Sequence, residues 1–233
     1  MKNLNFMKKV IYLLTIVLAI NACKEKEYEV KKAELTESVK EKLISELKEM
    51  KEQDQLNRSY ISLGTFNQNL IDSTKNLTTQ EYISFMQSHK SELNKKQEDS
   101  LWAIQKEIDL KNTNRIYELT EKYGWLSETR LDSIVDPMTF LFHTPKETIE
   151  KMQALLFKEV NAKRMEPSKF AMYVDNMRKK AFGKNQLYGT GKEFDPKTNT
   201  IVPPFIENID STNMERKKIG LPELKVGEYR TEK

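Results

Sequence analysis

Polar side chains interrupt the apolar stripes of two long helical patterns in this sequence. Asp54 continues an apolar series with spacings of three and four residues, and Arg58 follows one helical turn later. In the second pattern Gln105 and Asn112 stand between apolar positions, with Asp109 beside them. A buried polar group without a partner costs about 1–3 kcal/mol. We therefore expect these side chains to bond to one another in one polar cluster.

The same spacing has a simpler interpretation. Asp54 and Arg58 could form an exposed i, i+4 ion pair, which contributes only a few tenths of a kcal/mol. Gln105 could then lie at the rim of the core. Under this interpretation the polar positions have no function.

His143 is one of two histidines and follows the short apolar run 138–142. It could act as a general base, as a metal ligand or as a hydrogen-bonded core residue. No second histidine or cysteine lies near it, so we predict no metal site and no cofactor. The other histidine, His89, stands among Ser88, Lys90 and Ser91, which predicts a surface position.

The charge balance argues against nucleic-acid binding. The chain has 39 basic and 35 acidic residues, but Lys2, Lys8 and Lys9 fall in the first 22 residues, which leaves 36 basic residues against 35 acidic ones. Binding to duplex DNA or RNA requires a concentrated basic face. The single cysteine, Cys23, excludes an intrachain disulfide and a cysteine-based zinc site.

The amino-terminal residues predict secretion and lipidation. Residues 1–9 are basic, and the apolar run 10–20 spans eleven residues. A helix that crosses a bilayer needs about twenty apolar residues, so residues 1–22 are typical of a cleaved signal peptide. Residues 20–23 resemble a lipobox, in which Ala22 precedes the required cysteine. The resemblance implies that Cys23 carries a diacylglyceryl thioether, and several acyl chains would anchor the protein to the membrane.

The remaining chain predicts a mainly α fold, an irregular helical bundle with one small C-terminal β-hairpin. Residues 23–35 form the lipidated cysteine and a charged tether, and 36–233 form the helical domain. Residues 60–100 are less regular and could be an insertion or arm. The hairpin is predicted over 186–206, with strands at 187–194 and 200–206.

Local signals predict the helix boundaries. The first long helix should run from Thr36 to about 59, the second from about 99 to 123, and the last over 212–218. Thr78 should start another helix, and Pro167 should start one that ends near 183. Thr144, Pro145 and Glu147 match a capped helix start that leads into apolar residues 149–160. Gly124 predicts a left-handed helix end, and Trp125 a core position.

With these residues in view, the chain resembles an uncharacterised bacterial family, domain of unknown function 6624. The resemblance covers most of 45–229. The matching pieces are Asp54-Gln55 with Arg58; Leu101-Trp102 with Gln105, Asp109 and Asn112; Gly124-Trp125; the apolar run ending in His143; Gln186 with Tyr188-Gly189-Thr190; and Gly220-Leu221-Pro222 with Leu224 and Tyr229. It implies that the polar positions, including Tyr188, belong to one shared cluster, but it implies no reaction.

Four positions depart from the family pattern. Phe142 and Gly191 replace glutamines, an arginine is missing beside Asp175-Asn176, and a double arginine is reduced to Arg216. If the family is enzymatic, these losses predict weakened or altered activity in this chain.

Three functions fit the sequence. The first is a membrane-tethered envelope module, on the periplasmic face of the outer membrane or at the cell surface, whose polar pocket binds a small ligand or an envelope protein. The second is a hydrolase-like enzyme in which His143 and a carboxylate, such as Asp54 or Asp109, activate water and Arg58 holds an anion. The third is structural, with the cluster fixing helix register.

Overall fold

The structure, a computed structural model, describes residues 31–195 and 200–231. Residues 32–233 belong to a single structural unit. The predicted signal peptide, Cys23 and most of the tether lie outside the described residues, so cleavage and lipidation stay predictions. Within the described residues, no helix has both the length and the hydropathy needed to cross a bilayer.

Helices dominate the described chain and confirm the mainly α prediction. The α-helices are α1 (Glu37–Leu63), α2 (Gln68–Thr74), α3 (Thr79–Ser88), α4 (Lys95–Tyr123), α5 (Glu128–Leu131), α6 (Met138–Leu141), α7 (Ile149–Asn161), α8 (Pro167–Phe182) and α9 (Ile209–Lys218). A 3₁₀ turn, Lys146–Thr148, precedes α7.

The long helices α1 and α4 pack antiparallel and form the frame of the fold. Their apolar stripes meet near one end, where Leu47 and Ile116 are almost fully buried. Farther along the pair, polar residues replace the apolar ones, with Asp54 and Gln105 at 4% and 0% exposure. The periodicity therefore placed these two side chains on the buried faces, as predicted.

The main core lies where α4 ends against α6, α7 and α8. Trp125 follows α4 directly and is fully buried, which confirms its predicted place in the core. Leu141, Met152 and Phe170 bring the three later helices to the same core. Burial of such side chains contributes about 1.5–3 kcal/mol each, and this fixes α7 and α8 against the end of α4.

The starts of α4 and α7 differ from the prediction. Helix α4 begins at Lys95 rather than near 99, because Asn94 and Gln97 form a reciprocal capping box. The predicted capping box at Thr144 was wrong: the Thr144 hydroxyl donates backward to the Leu141 carbonyl at 2.7 Å, and α7 begins only at Ile149. The predicted box at Thr78 with Glu81 is present.

Two further helix boundaries differ from the prediction. Gly124 ends α4 with φ 78° and ψ 175°, which is not the left-handed helical conformation predicted. The last helix starts at Ile209, earlier than 212, because the Asn208 side chain accepts the Ser211 N–H. Helix α8 begins at Pro167 and ends at Phe182, where Gly183 caps it, as predicted.

The β-hairpin is shorter than the segment 186–206. Strands β1 (Glu193–Asp195) and β2 (Thr200–Val202) pair antiparallel, with Phe194 opposite Ile201. Residues 187–192 are not a strand, because the backbone N–H groups of Leu187, Tyr188 and Thr190 bond to the Asp175 side chain rather than to a neighbouring strand. Farther on, Phe205 bridges to Arg230 instead of extending the hairpin.

The segment predicted as an insertion or arm contains α2, α3 and the start of α4. Helix α3 buries none of its side chains, and α2 buries only Ile71. His89 is half-buried rather than on the surface, and its Nε2 lies 2.6 Å from the Leu63 carbonyl oxygen at the end of α1. This bond links the end of α3 to the end of α1.

Candidate functional site

A hydrogen-bonded cluster joins the middle of α1 to the middle of α4. The Arg58 Nε lies 3.1 and 3.0 Å from the two oxygens of Asp54, and its Nη2 donates to Asp109 at 2.5 Å. The Gln105 amide donates to Asp54 at 2.8 Å and to Asp109 at 2.9 Å. One arginine and one amide thus hold both carboxylates, and the four residues come together as predicted.

Asn57 extends this cluster, although the sequence analysis did not single it out. Its amide donates to the Gln105 side-chain oxygen at 2.8 Å and to the Leu101 carbonyl at 3.2 Å. A signal was present, because Asn57 follows Asp54 by three residues and continues the same helical stripe. With Asn57 in place, both the oxygen and the amide nitrogen of the fully buried Gln105 are bonded.

The outer side of the cluster opens into a cleft of about 400 Å³. Asp109 lies at the boundary between the cluster and the cleft, since its side chain is 16% exposed and also lines the cleft. The cleft is lined by Lys106, Leu110, His143 and Lys146 among others. The cluster therefore has a sealed floor and an open rim.

His143 reaches the cleft from the loop between α6 and α7 and is exposed. Partial burial, followed by the positive charges of Arg58 and Lys180, lowers the pKa of the His143 imidazole. Its ordinary pKa is about 6.5, so the ring is largely neutral at pH 7. A neutral ring offers one hydrogen-bond donor and one acceptor to a ligand.

Lys180 is a second residue that the sequence analysis missed. It lies near the end of α8, and its Nζ donates to the Phe142 carbonyl at 3.3 Å. Burial and the charge of Arg58 lower the pKa of Lys180. No local pattern marks this lysine, because tertiary packing brings it next to residues that are 38 positions away in the chain.

The hydrogen bonds around His143 and Asp54 bear on whether the cluster could carry out acid–base chemistry. A catalytic histidine usually bonds to a carboxylate or carbonyl that orients its ring. Across the described residues, no carboxylate hydrogen-bonds to His143, and Asp54 is fully engaged by Gln55, Arg58 and Gln105. The Arg58 Nη1 makes no bond within the described chain, so this group retains capacity for a ligand.

Two predicted members lie outside the cluster. Asn112 is buried, at 5% exposure, and it lines a different groove between α1 and α4, of about 510 Å³, together with Met50 and Arg115. No hydrogen bond joins Asn112 to Gln105. It lies two helical turns farther along α4, beyond the reach of Asp54 and Arg58.

Tyr188 belongs to a separate polar centre built on Asp175. The Asp175 carboxylate accepts the backbone N–H groups of Leu187, Tyr188 and Thr190 at 2.6, 2.9 and 2.9 Å, and the Thr190 hydroxyl at 2.8 Å. Arg216 donates to the Tyr188 carbonyl at 2.6 Å. The Tyr-Gly-Thr segment thus forms an ordered loop, and the prediction that Tyr188 joins the first cluster was wrong.

Comparison of the chain with protein-family models, curated proteins and solved structures finds no match in any of the three. The resemblance to domain of unknown function 6624 stays a prediction. Among the described residues, no group of three or more histidine, cysteine, aspartate or glutamate side chains could hold a metal ion. Cys23 lies outside the described residues.

Proposed function

We propose that this protein is an envelope lipoprotein that is anchored through Cys23 and binds a small polar ligand in the cleft beside His143. The leader and the lipobox-like residues support the anchor. The cluster of Asp54, Arg58, Gln105 and Asp109 supports the binding module.

The observation that carries the binding proposal is the open rim of an otherwise sealed ion-pair cluster. A cluster that only fixed helix register would need no side open to a cleft. Here the Arg58 and Asp109 side chains keep exposures of 21% and 16%, and Asp109 lines the cleft together with His143. Burial of Asp54 and Gln105 beneath them holds both rim groups in place before a ligand arrives, which reduces the entropic cost of binding.

Charge indicates the kind of ligand. The cations Arg58, Lys106, Lys146 and Lys180 lie in or near the cleft and the cluster, against the carboxylates Asp54, Glu107, Asp109 and Glu147. The two signs balance, so a neutral or zwitterionic ligand with hydroxyl, amide or amine groups fits better than a polyanion.

A thermal-shift screen tests the cleft. The mature protein would be tested against neutral saccharides, amino acids and dipeptides, and compared with His143→Ala and Lys106→Ala. We expect at least one compound to raise the melting temperature of the wild type and to lose its effect in both variants. Lys96→Ala, an exposed lysine near the start of α4, is the matched control and should keep the response. A response that persists in both cleft variants would place binding elsewhere.

Radiolabelled palmitate tests the anchor in cells that express the full chain. We expect label in the wild-type protein and none after Cys23→Ser, with that variant released to the soluble fraction. Equal labelling of both proteins would refute lipidation at this cysteine.

The hydrolase alternative has one supporting observation, because His143 and Asp109 line the same cleft. However, no hydrogen bond from a carboxylate orients His143 within the described residues. Arg58 already bonds to both Asp54 and Asp109. Binding therefore remains our proposal.

A further inference from the structure

A second groove, of about 740 Å³, lies away from the cleft beside His143. It is bounded by α5 and the segment before it, the α7–α8 junction and the end of α9. Its polar lining includes Ser127, Arg130, Lys163, Arg164, Glu166 and Lys218. We refer to it as the basic groove.

The basic groove concentrates positive charge in a chain that is otherwise balanced. Four cations and one carboxylate line it. Glu159 pairs with Arg164 and with Lys32, and Glu215 pairs with Lys218. Among the described residues, the groove and these partners comprise five cations and three carboxylates. Residues 23–233 carry only 36 basic residues against 35 acidic ones, so this excess is local.

Two guanidinium groups meet at Gly124. A Cβ built on this residue would lie 2.8 Å from the Arg164 Nε and 3.0 Å from the Arg130 Nη1. The two groups are therefore within about 6 Å of each other, on the same side of the backbone. The glycine leaves room for both arginines, and its φ of +78° is one that other residues rarely adopt.

Arg130 has no carboxylate partner in the described chain. Its Nη1 and Nη2 donate to the carbonyls of Trp125 and Tyr123, at 2.6 and 2.8 Å. Glu159, which is fully buried, is engaged by Arg164 at 2.6 and 3.0 Å and by the Trp125 N–H at 2.8 Å. Burial and then the charge of Arg164 lower the pKa of Arg130, and the charge of Glu159 opposes this shift.

We propose that the basic groove binds a phosphate group, which an anionic lipid headgroup or a soluble phosphate ester could supply. Paired guanidinium groups match the planar, multi-acceptor geometry of phosphate oxygens. Lys163 adds a cation at the rim, and the Ser127 and Thr129 hydroxyls add further donors.

The length of the tether favours the lipid source, and this part rests on the proposed anchoring at Cys23. Lys32 binds Glu159, the same carboxylate that holds Arg164. The eight residues 24–31 connect Cys23 to Lys32 and can span at most about 30 Å. Membrane headgroups would therefore be within reach of this side of the domain.

The test uses the mature chain with Cys23→Ser, so that no acyl chain contributes to membrane binding. The site variant is Lys163→Asn with Lys218→Gln, since asparagine tolerates the positive φ of position 163. The control, Lys48→Gln with Lys96→Gln, removes the same charge from exposed sites. One arm measures sedimentation with vesicles of phosphatidylcholine alone or mixed with phosphatidylglycerol, and the other measures thermal stabilisation by inorganic phosphate against chloride at equal ionic strength.

We expect binding to the phosphatidylglycerol vesicles only, weakened roughly 30-fold in the site variant and little in the control. Phosphate stabilisation that is lost in the site variant, with no vesicle binding, would support the groove and assign it a soluble ester. If neither probe distinguishes the site variant from the control, the proposal is overturned. The measurement with inorganic phosphate does not depend on lipidation. It therefore still tests the groove if Cys23 is found not to carry a lipid.

Discussion

Gln105→Glu probes the centre of the cluster with almost no change in shape. The substitution replaces the Gln105 amide nitrogen, which donates to Asp54 and Asp109 at 2.8 and 2.9 Å, with an oxygen. Three carboxyl groups would then converge at a fully buried position. Both donated hydrogen bonds are lost, and the new negative charge faces two others.

The expected cost follows from those bonds. A hydrogen bond to a charged group contributes about 1.5–3 kcal/mol, so two give roughly 3–6 kcal/mol. Asp109 is 16% exposed, and water can replace part of its lost bond. We therefore expect a loss of about 3–4 kcal/mol at pH 7. This is a large part of the 5–15 kcal/mol typical of a folded domain.

The loss should depend on pH. The two neighbouring carboxylates raise the pKa of the new carboxyl above its unfolded value of about 4.3. A group whose pKa is raised on folding favours the folded state below its unfolded pKa and loses that contribution as the pH rises through its folded pKa. The deficit relative to wild type should thus be small near pH 4, where the protonated group can again donate, and full near pH 7.

Urea unfolding followed by fluorescence of the buried Trp125 measures the difference at each pH. Gln80→Glu, at an exposed position in α3, is the control and should change stability by less than about 0.5 kcal/mol. A Gln105→Glu deficit below about 1 kcal/mol at pH 7, or one that stays constant with pH, would refute the cluster as described.

Three other substitutions test separate parts of the structure by the same unfolding measurement. Asp175→Ala removes the acceptor of three backbone N–H groups and one hydroxyl, so we expect a loss of about 3–5 kcal/mol; a loss under 1 kcal/mol would contradict the loop geometry. Gly124→Ala should lower the free energy of unfolding by about 2–3 kcal/mol, more than Gly183→Ala, because only the first places a Cβ against arginine side chains. Equal losses would argue against the close approach of the two arginines to Gly124. His143→Ala should change stability by less than about 0.5 kcal/mol, since the ring is exposed and makes no hydrogen bond within the described residues; a loss of several kcal/mol would mark it as a core residue.

The buried faces of α1 and α4 could be predicted from sequence because both helices are long and regular. Periodicity keeps its phase over such lengths, so spacing alone assigns Asp54 and Gln105 to core positions. The same reasoning would have found Asn57. It could not exclude Asn112 from the cluster. Periodicity shows which face of a helix a residue lies on, but not which residues of two facing helices lie at the same height along the helix axis.

The wrong predictions involve contacts between segments that are far apart in the chain. The segment 187–192 has the composition of a strand, but Asp175 binds its backbone from α8 and prevents pairing. This interaction also separates Tyr188 from the cluster on α1 and α4. Lys180 reaches the Phe142 carbonyl only through the packing of α8, which no local pattern encodes. At Thr144 a local signal was present, but the hydroxyl bonds backward to Leu141 instead.

Mass spectrometry of the amino-terminal peptide from the native, membrane-associated protein tests the central claim most directly. A lipoprotein anchored as proposed yields a first residue of Cys23, with a diacylglyceryl thioether on its sulfur and residues 1–22 absent. A peptide that still begins at Met1, or one that contains Cys23 as a free thiol, would contradict the account.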